Sequence, residues 1–196
     1  MTPIVHPLSL FFASILTSNI LLANFLGMCS FISISKDMKS ASGLGMAVTV
    51  VLTITAAINW AVLQLLIALD IEYLRYIVFI MVIAAVVQML EMIIDRVSQT
   101  LYMNLGIFLP LITVNCAILG VSLFVEIRNY SFVQSVIYGL GSGLGWWLAI
   151  MLLSAIRKKF EKAPIPSGLQ GAGITMITIG FMAMAFMGFS GMLSVQ

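Results

Sequence analysis

Long apolar stretches alternate with short polar intervals along the whole chain. Each stretch is long enough to cross a bilayer, which takes about 20 residues of α-helix, and most charged residues fall between the stretches. The pattern predicts six transmembrane helices, at residues 8–34, 42–69, 73–94, 101–125, 131–156 and 171–193. The predicted fold class is therefore an all-α membrane protein in which residues 1–196 form a single integral membrane domain.

The first and fourth spans each contain a feature that breaks helices. In the fourth, Pro110 lacks the amide that would bond the Gly106 carbonyl, which predicts a kink or a break. In the first, glycine and polar residues interrupt the apolar run at 24–29. Broken backbone at membrane depth is tolerated only where it is buried in protein or lines a cavity. We therefore expect discontinuous helices in both spans, and a site at the fourth.

The two halves of the chain share landmarks. A Gly-Leu-Gly triplet opens span two at 43–45, and another lies in span five at 143–145. Spans one and four each contain a glycine-interrupted segment that ends in a cysteine. Because each half has three spans, the halves enter the membrane from opposite sides. The sequence thus predicts an inverted three-plus-three repeat, of about 1–97 and 98–196, with sites near the midplane where the repeats meet.

Composition and charge agree with a polytopic membrane protein. Hydrophobic residues make up 62% of the chain and charged residues 8%, against about 25% charged in soluble domains. The net charge of +2 comes from loop residues and indicates no nucleic-acid partner. The loops after spans one, three and five hold seven of the nine basic residues, so the positive-inside rule places both termini outside the cytoplasm. These seven are Lys36, Lys39, Arg96, Arg157, Lys158, Lys159 and Lys162.

Cys29 and Cys116 are the only cysteines and the first candidates for chemistry. Three interpretations stay open from the residues alone: small packing residues, a disulfide, or half of a metal site. Each cysteine lies in the first span of its half, beside a predicted break, and an inverted repeat would bring both towards one axis. Two thiolates do not complete the four-ligand shell of an iron–sulfur cluster. A cluster would therefore need two ligands from a partner chain.

Glu91 is the candidate for an ion pathway, since acids within membranes tend to mark such pathways. It lies near the end of span three, one turn before Asp95 and the adjacent Arg96, so a solvated or paired carboxylate is the alternative. We find no nucleophile–base pair and no nucleotide-binding loop, and expect no catalysis by this chain alone. A small secondary transporter and a purely structural subunit are the rival functions, because inverted repeats and broken helices also build transporters.

Several motifs resemble one known family. LGIFLPLITVNCAI at 105–118 and FLGMC at 25–29 resemble the paired membrane subunits of the sodium-translocating NADH:quinone oxidoreductase (Nqr) and the related Rnf complex. The resemblance covers nearly the whole chain, and YGLGSGLGW at 138–146 is more similar to the E-type subunits of Nqr than to the A-type subunits of Rnf. SNILL at 18–22 departs from the acidic Glu-Asn version expected of the E type, so an Rnf-type ferredoxin:NAD+ ion pump stays the alternative.

The resemblance implies a fold, a cofactor and partners. It implies the inverted repeat and a paralogous membrane subunit of opposite topology. It also implies an intramembrane [2Fe-2S] cluster to which Cys29 and Cys116 contribute the ligands from this chain. Electrons would pass from a cytoplasmic NADH-oxidising, flavin-bearing subunit through the cluster to a flavin on the other face, with quinone as the final acceptor and sodium export coupled to the transfer. The implied location is the bacterial inner membrane, with both termini periplasmic.

Overall fold

The computed structural model describes residues 7–97, 112–160, 163–164, 166 and 168–189. These residues form α-helices joined by turns and contain no β-strand, which confirms the all-α prediction for this part of the chain. The helices are α1 (Pro7–Ile15), α2 (Met28–Ile34), α3 (Met38–Ala68), α4 (Arg75–Val97, after a 3-10 turn at Glu72–Leu74), α5 (Cys116–Ile127), α6 (Phe132–Phe160) and α7 (Ala172–Met187).

Three of the described helical segments have the length and composition to cross a membrane. They are Met38–Ala68, Glu72–Ile93 and Phe132–Phe160, and two shorter apolar helices are Cys116–Ile127 and Ala172–Met187. Together with α1 and α2, these segments fall on the six predicted spans. The complete six-span inverted repeat is not established by these helices and stays a prediction.

The first span is broken, as predicted, but the break begins earlier than the sequence indicates. Helix α1 ends at Ile15 and α2 begins at Met28. Asn19 lies in the gap and satisfies the freed backbone: its Nδ2 donates to the carbonyls of Ile15 (3.0 Å) and Gly145 (2.9 Å), and its Oδ1 accepts the Leu21 amide at 3.1 Å. Because a buried side chain replaces the missing helical bonds, the chain leaves the helix well before the predicted 24–29.

The fourth span is described only in part, since Gly106 and Pro110 lie outside the described residues. Helix α5 begins at Cys116 and is capped by Asn115, whose backbone is extended and whose Oδ1 accepts the Ala117 amide at 3.0 Å. This is the usual arrangement of an N-cap asparagine. The cysteine of the second half therefore lies at the start of a helix.

Helix α6 is wedged between α1 and α3 by glycines on two of its faces. A methyl group added to Gly143 would lie 2.7 Å from the Thr49 Cα of α3, and one added to Gly145 would lie 2.9 Å from the Ile15 carbonyl oxygen of α1. Gly139 faces α3 in the same way as Gly143. The alternate-glycine run at 139–145 therefore permits close helix packing, which confirms the role predicted for it.

The main helix contacts are reciprocal between the halves. Span one packs on span five through α1 and α6, span four packs on span two through α5 and α3, and the long helices α3 and α6 pack against each other. An inverted repeat of 1–97 and 98–196 requires this exchange of contacts. An ion pair of 2.6 Å between Arg75 and Glu126 adds a polar contact between α4 and α5.

Candidate functional site

Both cysteines lie at the beginning of a helix. Cys29 is the second residue of α2 and Cys116 is the first residue of α5. The amides of the first helical turn have no partner within the helix, and the dipole of a helix as long as α5 favours negative charge at this end. A thiolate at Cys116 is therefore stabilised by its position in the fold.

Gly27 joins the two cysteine segments. Its amide donates to Cys116 Sγ at 2.9 Å, although the two residues are 89 positions apart. Gly27 lies two residues before Cys29 and has a left-handed backbone with φ +83°, a conformation that costs glycine little and other residues more. The structure therefore brings the loop of one cysteine onto the sulfur of the other, as the sequence predicts for the pair.

A buried polar ring holds these two segments together. Ser30 Oγ donates to the Gly27 carbonyl at 3.1 Å, and Asn115 Nδ2 donates to Ser30 Oγ at 3.3 Å. Asn115 also precedes Cys116 and caps its helix. Ser30 and Asn115 are both buried, so these bonds are shielded from solvent. We call Gly27, Ser30, Asn115 and Cys116 the polar ring.

Trp146 of α6 lies directly against this ring. The side chain is fully buried, and its ring meets Phe31 of α2 edge to face with 6.5 Å between centroids. A Cβ added to Gly27 would lie 2.8 Å from Trp146 Nε1 and 3.0 Å from Asn115 Oδ1. Only glycine fits at position 27 for this reason as well as for its backbone conformation.

Two residues of the site are not singled out by the sequence as functional. Ser30 adjoins Cys29, and Trp146 ends the glycine-rich motif at 138–146, so position in a motif is the available signal. A buried serine or tryptophan in an apolar span is ordinary, and only the tertiary contacts give these two their place.

The two sulfurs are available to a partner. Both cysteines are free thiols and exposed on this chain, so the structure does not contain the disulfide that was one alternative. Within the described residues, no three His, Cys, Asp or Glu side chains assemble into a metal site. Thiolates are the ligands that iron–sulfur clusters require. The donor set fits half of such a cluster, with a second chain supplying the other ligands.

Glu91 lies on α4, outside the polar ring, and is partly buried. Asp95 and Arg96, on the last turns of the same helix, are exposed. The burial of Glu91 is consistent with the deeper position expected of it. Its role in ion movement stays a prediction.

The family was identified by comparison with known proteins. The sequence model described as "Rnf-Nqr subunit, membrane protein" matches residues 7–193, which is nearly the whole chain. The chain belongs to the Rnf-Nqr family. The resemblance found in the motifs around Cys29 and Cys116 is thereby confirmed.

Similar proteins within the family share one name, that of the E-type subunit of Na(+)-translocating NADH-quinone reductase. The protein of Proteus mirabilis is 51% identical and that of Yersinia enterocolitica 52%, each over 95% of this chain and 98% of the relative. The protein of Alcanivorax borkumensis is 50% identical over 95% of this chain and 97% of the relative. These names agree with the E-type resemblance.

Proposed function

We propose that this family member is the E-type membrane subunit of a sodium-translocating NADH:quinone reductase and that it holds half of an intramembrane [2Fe-2S] cluster. The observation that carries the proposal is the bond from the Gly27 amide to Cys116 Sγ, which brings both cysteine segments together. The names of the relatives support the assignment to this complex. Quinone reduction and sodium export are properties of the whole complex, to which this chain contributes one part.

Cys29 and Cys116 would each supply one thiolate, and a paralogous subunit of opposite topology would supply the other two. A charged thiolate in lipid is costly unless its charge is compensated. The amide of Gly27 and the start of α5 provide part of that compensation in this chain. The exposure of both sulfurs leaves them open to the partner subunit.

When bound, the cluster would accept one electron and pass one on. It would lie between the NADH-oxidising, flavin-bearing subunit on the cytoplasmic side and a covalently bound flavin on the other face. The polar ring keeps the two ligand segments at one place through buried hydrogen bonds. A rigid ligand set limits structural change when charge changes, which favours electron transfer.

Replacing either cysteine by serine tests the proposal in the assembled complex. Cys29→Ser and Cys116→Ser should each abolish the paramagnetic resonance signal of one [2Fe-2S] centre and reduce NADH-to-quinone turnover to background, because a serine hydroxyl is a poor substitute for a soft thiolate. Reduction of an artificial acceptor by NADH should persist, since that flavin lies upstream. The double variant should be no worse than either single variant.

Ala163→Ser provides the control, since it adds a hydroxyl at an exposed loop position. It should retain iron, signal and quinone reduction. If Cys116→Ser kept iron content and quinone reduction at wild-type levels, the cysteines would be packing residues and the proposed electron path through this subunit would be wrong. A metal-free wild-type preparation that moved a solute by itself would instead favour a secondary transporter.

A further inference from the structure

Trp146 has a buried hydrogen-bond donor without a partner. Its Nε1 is shielded from solvent and finds no acceptor among the residues that the structure describes. Buried donors are nearly always paired, because leaving one unpaired forfeits the bond it made to water. An exception inside a well-packed core therefore needs a reason.

The position of this donor indicates that reason. Trp146 Nε1 and Cys116 Sγ lie against the same residue, since the sulfur accepts the Gly27 amide and the indole nitrogen packs on the Gly27 α-carbon. The indole is also held firmly. The adjacent Gly145 packs on α1, and Phe31 of α2 contacts the ring. The donor is therefore fixed at the floor of the cysteine site before any charge is placed there.

We propose that the Trp146 indole N–H is a preorganised donor for the negative charge of the thiolate pair and its metal centre, and that it raises the reduction potential of that centre. This inference rests on the proposed function. A fixed N–H dipole beside a site that gains an electron favours the reduced form, and hydrogen bonding around the sulfurs is one determinant of cluster potential. One electron enters the centre and one leaves, and no proton is transferred at Trp146.

The neighbouring Trp147 provides a matched control. Its Nε1 is likewise buried without an acceptor among the described residues, but its ring packs against Gly45 of α3 and not against Gly27. The two indoles belong to the same helix and differ in what they face. Removing the same atom from each separates an electrostatic effect at the cysteines from a general effect on α6.

The test replaces the indole nitrogen by sulfur with little change of shape. In the assembled complex, Trp146→3-benzothienylalanine should lower the ratio of reduced to oxidised [2Fe-2S] centre at a fixed solution potential by about tenfold, which is about 59 mV for a one-electron couple. Trp147→3-benzothienylalanine should leave that ratio unchanged. Selective 15N labelling of Trp146 should show a hyperfine coupling of the indole nitrogen to the reduced centre. Trp146→Phe also lacks the donor and should shift the potential in the same direction.

The possible failures are distinguishable. If the centre is present in both Trp146 variants with the wild-type potential and the indole coupling is missing, Trp146 is a packing residue and this inference is overturned while the proposed function stands. An equal shift in the Trp147 variant would also overturn it. Absence of a [2Fe-2S] signal from the wild-type complex, or its survival in Cys116→Ser, would overturn the proposed function itself.

Discussion

At the scale of single residues, the site depends most on Gly27. It is the point at which the two halves of the chain meet through a sulfur, an amide and an indole ring. Its positive φ and the absence of a side chain are both used. A residue without functional groups therefore determines where the functional groups of Cys116 and Trp146 lie.

We predict that Gly27→Ala destabilises the subunit by about 2–5 kcal/mol. A left-handed backbone costs a residue with a Cβ about 1–2 kcal/mol, and forcing a methyl group against Trp146 and Asn115 adds about 1–3 kcal/mol of overpacking. Thermal unfolding of the purified complex, followed together with its iron content, measures the effect. Gly180→Ala in α7 is the control, because no atom lies within 4 Å of the added methyl group. Equal unfolding temperatures for the two variants would contradict the role assigned to Gly27.

At the scale of helices, α6 is the element on which the described bundle is built. It packs on α1 with one face and on α3 with another, and the small residues at 139–145 bring those backbones close. Between membrane helices, attraction comes from close packing and hydrogen bonds more than from the hydrophobic effect. The tight contact is therefore a main source of stability here.

We predict that Gly143→Ala weakens the contact between α6 and α3 by about 1–3 kcal/mol. The added methyl group would meet the Thr49 backbone at 2.7 Å, and a helix backbone does not move aside as a flexible side chain would. Thermal unfolding of the complex and hydrogen exchange of α3 amides measure the loss. Gly173→Ala, which adds a methyl group in open space, should behave like the wild type. Unchanged exchange in Gly143→Ala would mean that the helices separate without cost.

The N-terminus of α3 is secured by a charged cap. The Asp37 carboxylate accepts hydrogen bonds from the Ser40 amide (2.9 Å) and hydroxyl (2.7 Å), and these bonds hold the pKa of Asp37 below its ordinary value of 3.8. The stabilisation is therefore fully present above pH 3.8 and is lost as the pH falls through the lower pKa of the folded chain. At neutral pH the cap is intact.

At the scale of the whole molecule, the structure agrees with the arrangement of loops inferred from charge. Arg157, at the end of span five, donates to the Ile32 carbonyl at 2.9 Å and to Ser35 Oγ at 2.7 Å, both at the end of span one. At the start of span three, Arg75 pairs with Glu126 at the end of span four. The loops after spans one and five thus share one end of the bundle.

We predict that this end faces the cytoplasm, because it belongs to the side with seven of the nine basic residues. A phosphatase fused after Gln196 should be active in intact cells, and one inserted in the loop at 157–169 should be inactive. The same sites fused to a reporter that works only in the cytoplasm should give the opposite result. Activity of that second reporter at Gln196 would reverse the topology.

We predict that Glu91→Gln raises the sodium concentration for half-maximal turnover by about tenfold, equivalent to about 1.4 kcal/mol of coupling. A partly buried carboxylate in a membrane helix is costly without a partner or a task. Turnover at varied sodium, with NADH oxidation by an artificial acceptor as the internal reference, makes the measurement. Asp95→Asn removes an exposed carboxylate one turn further along α4 and should change little. The same sodium dependence in both variants would leave Glu91 a structural residue.

The sequence by itself determined the features that depend on local composition. Apolar runs, glycines and loop charges predicted the helical class, the break in span one and the shared side of the loops, because each reflects the preference of a short segment for lipid, helix or water. The motifs around Cys29 and Cys116 also predicted the family. These inferences need no knowledge of which residues touch across the fold.

Only the tertiary structure decided how the site is assembled. The bond from Gly27 to Cys116 joins positions 89 residues apart, and the place of Trp146 beneath it follows from how closely α6 packs on its neighbours. Asn19 likewise sets the start of the break in span one by bonding to Gly145 of a distant helix. Local propensity does not encode such contacts, because they arise when separate helices share one buried volume.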